Sequence, residues 1–477
     1  MLLRKKILAV IVIFLWVQIG FSQTTINIPT DYSTIQAGID AAATGDTVLV
    51  AVGTYVENIN FRGKDIFLTS HFHLDRSPAT IENTIIDGSQ PTDADSASVV
   101  TIIHEESAAA VLQGFTIRGG TGTNNFNDDE GIFFRVGGGI LINEASPTIQ
   151  FNIIEDNEAV DDSAADVVSA GGGGLRAGRS ESIVQNNIIR RNQGKYAAGM
   201  MFAFSAPTIR NNLIIDNEAG FFASGGGGIF IDFNSNQQRP VPITNNTIVN
   251  NISGGRGGGI VVTGTTIAVE NNIVHNNNAF QGIQIYLRNI GVGQLAEAIV
   301  NYSNLPAGEF GGEGHVYFRP EFTGALYSLS PDNQLVDAGN PAMEYQDRAE
   351  SGDTPALPAL GALRNDIGWT GGPYGFQWET VVNPTHTTLP NEANLSVLNH
   401  PTSNDNLALK FTLTQADDCQ IEVFDLQGKP LITKFLRNLP AGVHQDEFSL
   451  PARLSAGTYL LRLNGKHHQQ TISFIQL

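Results

Sequence analysis

A seven-residue motif returns five times in the middle of this chain. FNIIEDN begins at 151, NNIIRRN at 186, NNLIIDN at 211, NNTIVNN at 245 and NNIVHNN at 271, so successive copies lie 35, 25, 34 and 26 residues apart. The short offsets reveal the unit: roughly 25 residues make one coil of a parallel β-solenoid, and the longer offsets are the same coil with an inserted loop. Before each copy stands a glycine run: GGGILIN from 137, GGGGLRAG from 171, GGGGIFID from 225 and GRGGGIVV from 255. The third coil has only Ala197, Ala198 and Gly199 there.

Stacking the coils predicts two columns. Ile153, Ile188, Leu213 and Ile273 should form an internal aliphatic column, because neighbouring strands lie about 4.8 Å apart. Asn157, Asn192, Asn217, Asn251 and Asn277 should stack at a corner, each amide bonded to the next. The glycine runs permit close backbone approach and lack the Lys-Ser/Thr of a phosphate loop, so nucleotide binding is excluded.

Composition agrees with a large packed core. Of 477 residues, 41% are apolar and only 16% charged, which excludes general disorder and coiled coil. With 27 Lys+Arg against 47 Asp+Glu the net charge is −20, so nucleic acid is not an expected partner. The lone cysteine, Cys419, forbids an intramolecular disulfide. Arg4, Lys5 and Lys6 followed by the apolar run Ile7 to Val17 read as a signal peptide over 1–23, and no later stretch has 18 consecutive apolar residues. A solenoid needs covered ends. Ser33 with Gln36 reads as a capping box opening a short helix whose face of Ile35, Ile39 and Ala42 would plug the N-terminal end.

IPTDYSTIQAGIDAAATGDTVLVAVGTYVENI (28–59), LQGFTIRGG (112–120), DAGNP (337–341) and LGALRNDIGWTGGP (360–373) resemble segments of right-handed parallel β-helix proteins of the pectin-lyase-like superfamily. The resemblance implies an all-β fold with that helix over 24–376. Many members act on polysaccharides, and many have no known activity. After a link at 377–391, alternating strands and turns predict a small Ig-like β-sandwich over 392–477. IEVFDLQGKPL (421–431), LPAGVHQ (439–445) and LSAGTYLLRL (454–463) resemble the C-terminal sorting domain of the Bacteroidetes type IX secretion pathway. Its usual Tyr-Pro-Asn-Pro opening is replaced by Leu398, Asn399, His400 and Pro401. That resemblance implies export across the outer membrane, with the secretion machinery as partner. An Ig-like binding module is the alternative.

Columns also locate candidate chemistry. The residue before each ladder asparagine is Asp156, Arg191, Asp216, Asn250 and Asn276, and the residue after it includes Glu158, Gln193 and Glu218. With Lys195 close by, one corner gathers Asp156, Glu158, Arg191, Lys195, Asp216 and Glu218 within three coils. Segments 121–136, 159–170 and 218–224 leave the coil on the same side, as loops around a binding face do. They carry Phe126, Phe133, Phe134, Phe221 and Phe222, with Tyr196 nearby, whose rings either stack on sugars or pack the loops down.

Two catalytic schemes fit this corner. The resemblance implies that a β-eliminating lyase would use Lys195 and Arg191 as base and as the cation neutralising a uronate. A hydrolase would use Asp156 and Asp216, two coils or roughly 9.5 Å apart, near the inverting separation. The paired-Asp, Gly-His-Gly and Arg-Ile-Lys signature of polygalacturonases has no counterpart here, and neither do the catalytic aspartates of pectinesterases. A salt-bridged ladder without chemistry competes with both schemes. Acidic clusters at Asp128, Asp129 and Glu130 and at Asp161, Asp162 and Asp166 offer hard oxygens to calcium, the one cofactor the composition suggests. His71, His73, His104 and His275 share no coil position, so no histidine metal site is expected. The reading is a secreted or cell-surface β-helix protein that binds or processes extracellular polysaccharide; if catalytic, it is a polysaccharide lyase or glycoside hydrolase. A non-catalytic structural or adhesive solenoid is the alternative.

Overall fold

The computed structural model describes residues 23–477 except 128–131, 161–166, 221–224, 235–238, 292–293, 309, 325, 379–385, 388–394, 399–405, 425–429, 450–456 and 477. The proposed signal peptide and both acidic loop clusters therefore lie outside the described residues, apart from Gln23. One coil shows the plan. Leu175–Gly178 enters one parallel sheet (III), Ile183–Gln185 a second (I), Ile188–Arg190 a third (II) and Gln193–Gly194 a short fourth (IV). The chain then returns at Met200–Ala203, with Leu175 opposite Met200. Repeated along the axis, this gives sheets of ten (I), eight (II), eight (III) and five (IV) strands, a right-handed parallel β-helix.

Strand residues alternate between inside and outside. The interior is lined by Ile149, Val184, Ile209, Ile243 and Val269 of sheet I, by Ile154, Ile189, Ile214, Ile248 and Val274 of sheet II, and by Leu175, Met200, Ile229 and Ile260 of sheet III, all fully buried. The expected internal column is thus displaced by one residue. Ile153, Ile188, Leu213 and Ile273 point outward, where Phe322, Leu335, Ile367 and Trp369 cover them. Sheet II is apolar on both faces, so hydrophobicity alone gave no clue to which isoleucine faces in.

The covering strap runs back along the helix. Asn340 donates to Glu270, Asn365 and Asn245 exchange amide bonds, Asn211 donates to the carbonyls of Trp369 and Gly371, and Tyr374 lies 3.5 Å from the Arg210 guanidinium. Finally Phe376 packs on Phe151 and Phe72. The N-terminal end is closed by the helix Ile35–Ala41, whose buried face is Ile35, Gly38 and Ile39. Its cap is Thr34, one residue later than expected, and Glu57 accepts from the Ile35 and Gln36 N–H groups.

Two corners are built on asparagine. Nδ2 of Asn157, Asn192, Asn217 and Asn251 each donates to the Oδ1 of the next at 2.9–3.1 Å, and Gln284 ends the series below Asn277. A second ladder, Asn152, Asn187, Asn212, Asn246 and Asn272, does the same at the neighbouring corner and ends on Ser303. The preceding residues, Asp156, Arg191, Asp216, Asn250 and Asn276 in the first case, take left-handed φ values of 52–59° to turn the chain. The ladder also explains a glycine: a Cβ on Gly174 would lie 2.6 Å from the Gly199 oxygen and 3.0 Å from the Asn192 amide.

The C-terminal strands form two antiparallel sheets, Ser396–Val397, Asn406–Leu413 and Gly442–Ser449 in one and Pro430–Leu439, Asp417–Phe424, Gly457–Gly465 and Gln469–Gln476 in the other. Leu407, Phe411, Ile421, Leu461 and Phe474 fill their shared core, as in an Ig-like sandwich. Within the expected link, His386–Thr387 pairs with Phe322–Thr323.

Replacing Asn217 by alanine should cost roughly 2–4 kcal/mol in urea unfolding. It strands the carbonyls of Ile189 and Ile215 without their amide donor and takes from the Asn192 amide one of its two acceptors, all inside the protein. A loss below about 1 kcal/mol would mean the amides do not carry the corner.

Candidate functional site

The corner column of Asp156, Arg191 and Asp216 forms as expected, one residue per coil. Arg191 reaches Asp156 with both Nε and Nη2 at 2.9 Å, and Nη2 lies 2.8 Å from Glu155. Arg190 reaches the same Glu155 oxygen at 2.7 Å. Farther up sheet II, Arg118 pairs with Asp87 at 3.2 Å. Alternating signs thus stack along two adjacent columns. The sequence reading missed Glu155 and Arg190. They precede Asp156 and Arg191 on the same strands, and extending the alignment by one residue would have found them.

Asp216 sits one coil beyond Arg191. By area it is exposed, yet protein crowds its carboxyl, and this desolvation holds its pKa above the ordinary value against the opposing pull of Asn250, Arg191 and Arg190. Asn250 donates to the Tyr327 hydroxyl at 2.7 Å and accepts from Asn276 at 2.6 Å. Tyr327 comes from the strap, and its burial raises the phenol above its usual value. Arg191 is held cationic, chiefly by its hydrogen bonds to Asp156. A guanidinium so held can neutralise an anion, the part a cation plays in the lyase scheme.

The other predicted residues spread out. Glu158, Gln193 and Glu218 stack in register on sheet IV. Glu218, however, pairs at 2.7 Å with Arg462 of the C-terminal sandwich. Lys195 is half-buried, its backbone N–H donating to the Ala159 oxygen. Tyr196 packs with Ala197, Phe230 and Val261 on the outer face of sheet III, away from the corner. Residues 122–127 and 132–136 are not a plain loop but an antiparallel hairpin, whose backbone register pairs position 133 with 126; Phe133 remains 40% exposed, while Phe134 is half-buried. Phe221 and Phe222 lie outside the described residues.

Among the described residues, no three His, Cys, Asp or Glu side chains converge on a metal position; the acidic clusters read as calcium ligands lie outside them. His275 is pushed down to about 4, first by burial and then by Arg319, and is neutral at pH 7. In the sandwich, Thr414 Oγ1, His468 and Asp417 have the connectivity of a hydrolytic triad, at 3.0 Å for each contact. The Thr414 backbone N–H also donates to His468 Nε2 at 2.7 Å. That lone pair is occupied, so the trio locks a turn and does not activate the hydroxyl.

Two strap carboxyls are unusual. Burial, and after it the Asp366 charge, pushes Asp347 up to about 8, and burial pushes Asp366 up to about 7. Asp347 Oδ1 accepts from Gly372 N–H, while its Oδ2 has no partner among the described residues. A protonated Asp347 is the form that this site accommodates.

Comparison with known proteins agrees with the coils. The family model described as "Right handed beta helix region" matches residues 69–292. No curated relative matches the chain. Among solved structures, a pectin methylesterase mutant in complex with a hexasaccharide shows similarity at 14% identity and a TM-score of 0.29, over 61% of this chain and 90% of that one.

Two outcomes follow from these electrostatics. Arg191→Ala should lower stability by only about 1 kcal/mol at neutral pH, since exposed pairs contribute about 0–1 kcal/mol each, and the deficit should shrink as acid protonates the carboxylates. Asp347 behaves oppositely to a paired carboxylate. Its folded pKa lies above the unfolded value, so the folded state keeps a proton that the unfolded state releases, and stability falls as pH rises from about 4 to about 8. Asp347→Asn should therefore melt higher than wild type at pH 8 to 9, a range where His275 no longer titrates in either state. An unchanged melting difference between pH 5 and pH 9 would contradict the buried proton.

Proposed function

We propose that this chain is an exported, surface-displayed β-helix protein that binds extracellular polysaccharide along the Asp156–Asn276 corner. One observation carries the reading: Asp156, Arg191 and Asp216 stand exposed one coil apart on left-handed corners fixed by a buried amide ladder, and Asn250 and Asn276 continue the row half-buried beside the strap. A linear glycan offers hydroxyls repeating along its length, and such a rigid row can meet several of them at little ordering cost. The exposed Phe133 on the neighbouring hairpin supplies an apolar ring for a sugar face.

Binding is favoured over turnover. Asp216 has the raised pKa expected of a general acid, but Asp156, its partner in an inverting hydrolase, is engaged by both nitrogens of one edge of Arg191. The second reading is a structural or adhesive solenoid, favoured by the same internal pairing of Arg191. Export rests on the Arg4–Gln23 segment and on the likeness of the sandwich to type IX sorting domains, whose secretion machinery would then be a partner.

Retention of the purified protein on a panel of immobilised polysaccharides tests the reading, with assays for unsaturated products and for new reducing ends run alongside. The double variant Arg191→Ala, Lys195→Ala should lose at least about tenfold in affinity while melting within a few degrees of wild type. Full retention by that variant would make the corner scaffold only. Deleting 392–477 should leave the solenoid trapped in the periplasm, and normal surface delivery of the truncation would refute the sorting role.

A further inference from the structure

Arg462 is an arginine of the sandwich core sheet whose charge is satisfied partly outside its own module. Its Nε and Nη2 donate to Glu422 at 2.9 and 2.7 Å, and its guanidinium lies 4.8 Å from the Phe424 ring. The remaining edge, through Nη1, reaches Glu218 of the solenoid at 2.7 Å. Only 10% of the Arg462 side chain is exposed. An arginine so desolvated needs both carboxylates, and one of them belongs to sheet IV. The sandwich strand Gln469–Gln476 also lies alongside the sheet IV strand Asn278–Gln281.

Burial along sheet IV follows this contact. Its outward column is Glu158, Gln193, Glu218, Ile252 and Asn278, in register from coil to coil. Glu158 and Gln193 are exposed, whereas Glu218, Ile252 and Asn278 are only half so. The covered end is the one beside the sandwich. Ile252 supplies an apolar patch in a column that otherwise carries polar side chains, as an interface core would.

We propose that the outer face of sheet IV is a docking surface for the chain's own C-terminal sandwich, clamped by Arg462 between Glu218 and Glu422, and that docking ends the glycan path at Glu218. The occlusion rests on the polysaccharide reading above; the docking does not. In the docked form a glycan following the corner can reach Glu158 and Gln193 but not the positions below them. Undocking frees Glu218, Ile252 and Asn278 and lengthens the available face by three coils. The sandwich is then an intramolecular lid whose displacement gives the Arg462–Glu218 charge-assisted hydrogen bond up to water.

Hydrogen exchange on the full-length chain separates the two claims. Arg462→Ala should raise exchange about tenfold in Ile252–Arg256 and Asn278–Gln281, leaving the interior strands of sheets I and II at their wild-type rates. Because Arg462→Ala also strands Glu422, Glu218→Ala serves as the second variant. It leaves the Arg462–Glu422 pair in place and should raise exchange in the same two strands. If neither variant alters them, the docking is refuted. For occlusion, retention on immobilised linear glucan, xylan and galacturonan is compared between wild type and Arg462→Ala. Tighter retention of the variant on whichever matrix holds the wild type supports the lid. Equal or weaker retention refutes the occlusion, and retention of neither protein on any matrix removes the polysaccharide reading while exchange still decides the docking.

Discussion

The central coils of this protein, from Asn157 to Asn277, depend on an amide that bonds to the amide of the next coil. A side chain carrying both donor and acceptor can repeat without limit along an axis, which neither a carboxylate nor an ammonium can do, because like charges would meet at each step. Asparagine is also short enough to stay inside the corner and satisfy backbone groups there. Asn192, for example, bonds Asn217 below and the Ile154 carbonyl above. The glycine run exists to make room for it. The two most conspicuous sequence motifs are therefore halves of one packing problem.

The same ladder shapes the surface chemistry. Because the corner backbone is fixed, the residue just before each ladder asparagine is presented outward in a strained left-handed conformation that asparagine and aspartate tolerate better than most. Arg191 accepts that strain at a position where Asn or Asp stands in the other four coils of the ladder, and it binds two carboxylates there. Such an arrangement neutralises charge locally within a chain of strongly negative net charge. It leaves Asp216, one coil farther on, at the edge of the paired region and facing the strap.

Much of the architecture was legible because a solenoid writes its geometry into a spacing. The coil length, the Asn157 to Asn277 ladder and the sandwich all follow from patterns visible in one dimension. Three features were not. The facing of Ile153 and Ile154 was ambiguous because the strap buries both sides of sheet II, erasing the alternation that normally tells inside from outside. Tyr196 and Glu218 were placed on one face by coil position, but tertiary partners more than twenty residues away, Phe230 and Val261 in one case and Arg462 in the other, decide where they act. The hairpin at 122–136 was read as loop because its strands pair with Ser96–Ala97 and Val167–Gly171, which no local pattern connects.

The strap changes what kind of object the solenoid is. A stack of coils held only by contacts between neighbours behaves as a one-dimensional chain, in which any interface can open alone and the ends fray first. Here a single segment leaves the last coils at Asn340, crosses the coils of Asn245, Asn211 and Phe151, and finishes on Phe72 near the beginning. Opening any one interface then also shears a contact belonging to coils far from it. The strap acts as a tendon laid along a column of discs: it makes distant repeats share a load and gives an elongated repeat protein the all-or-none mechanical response of a globular one.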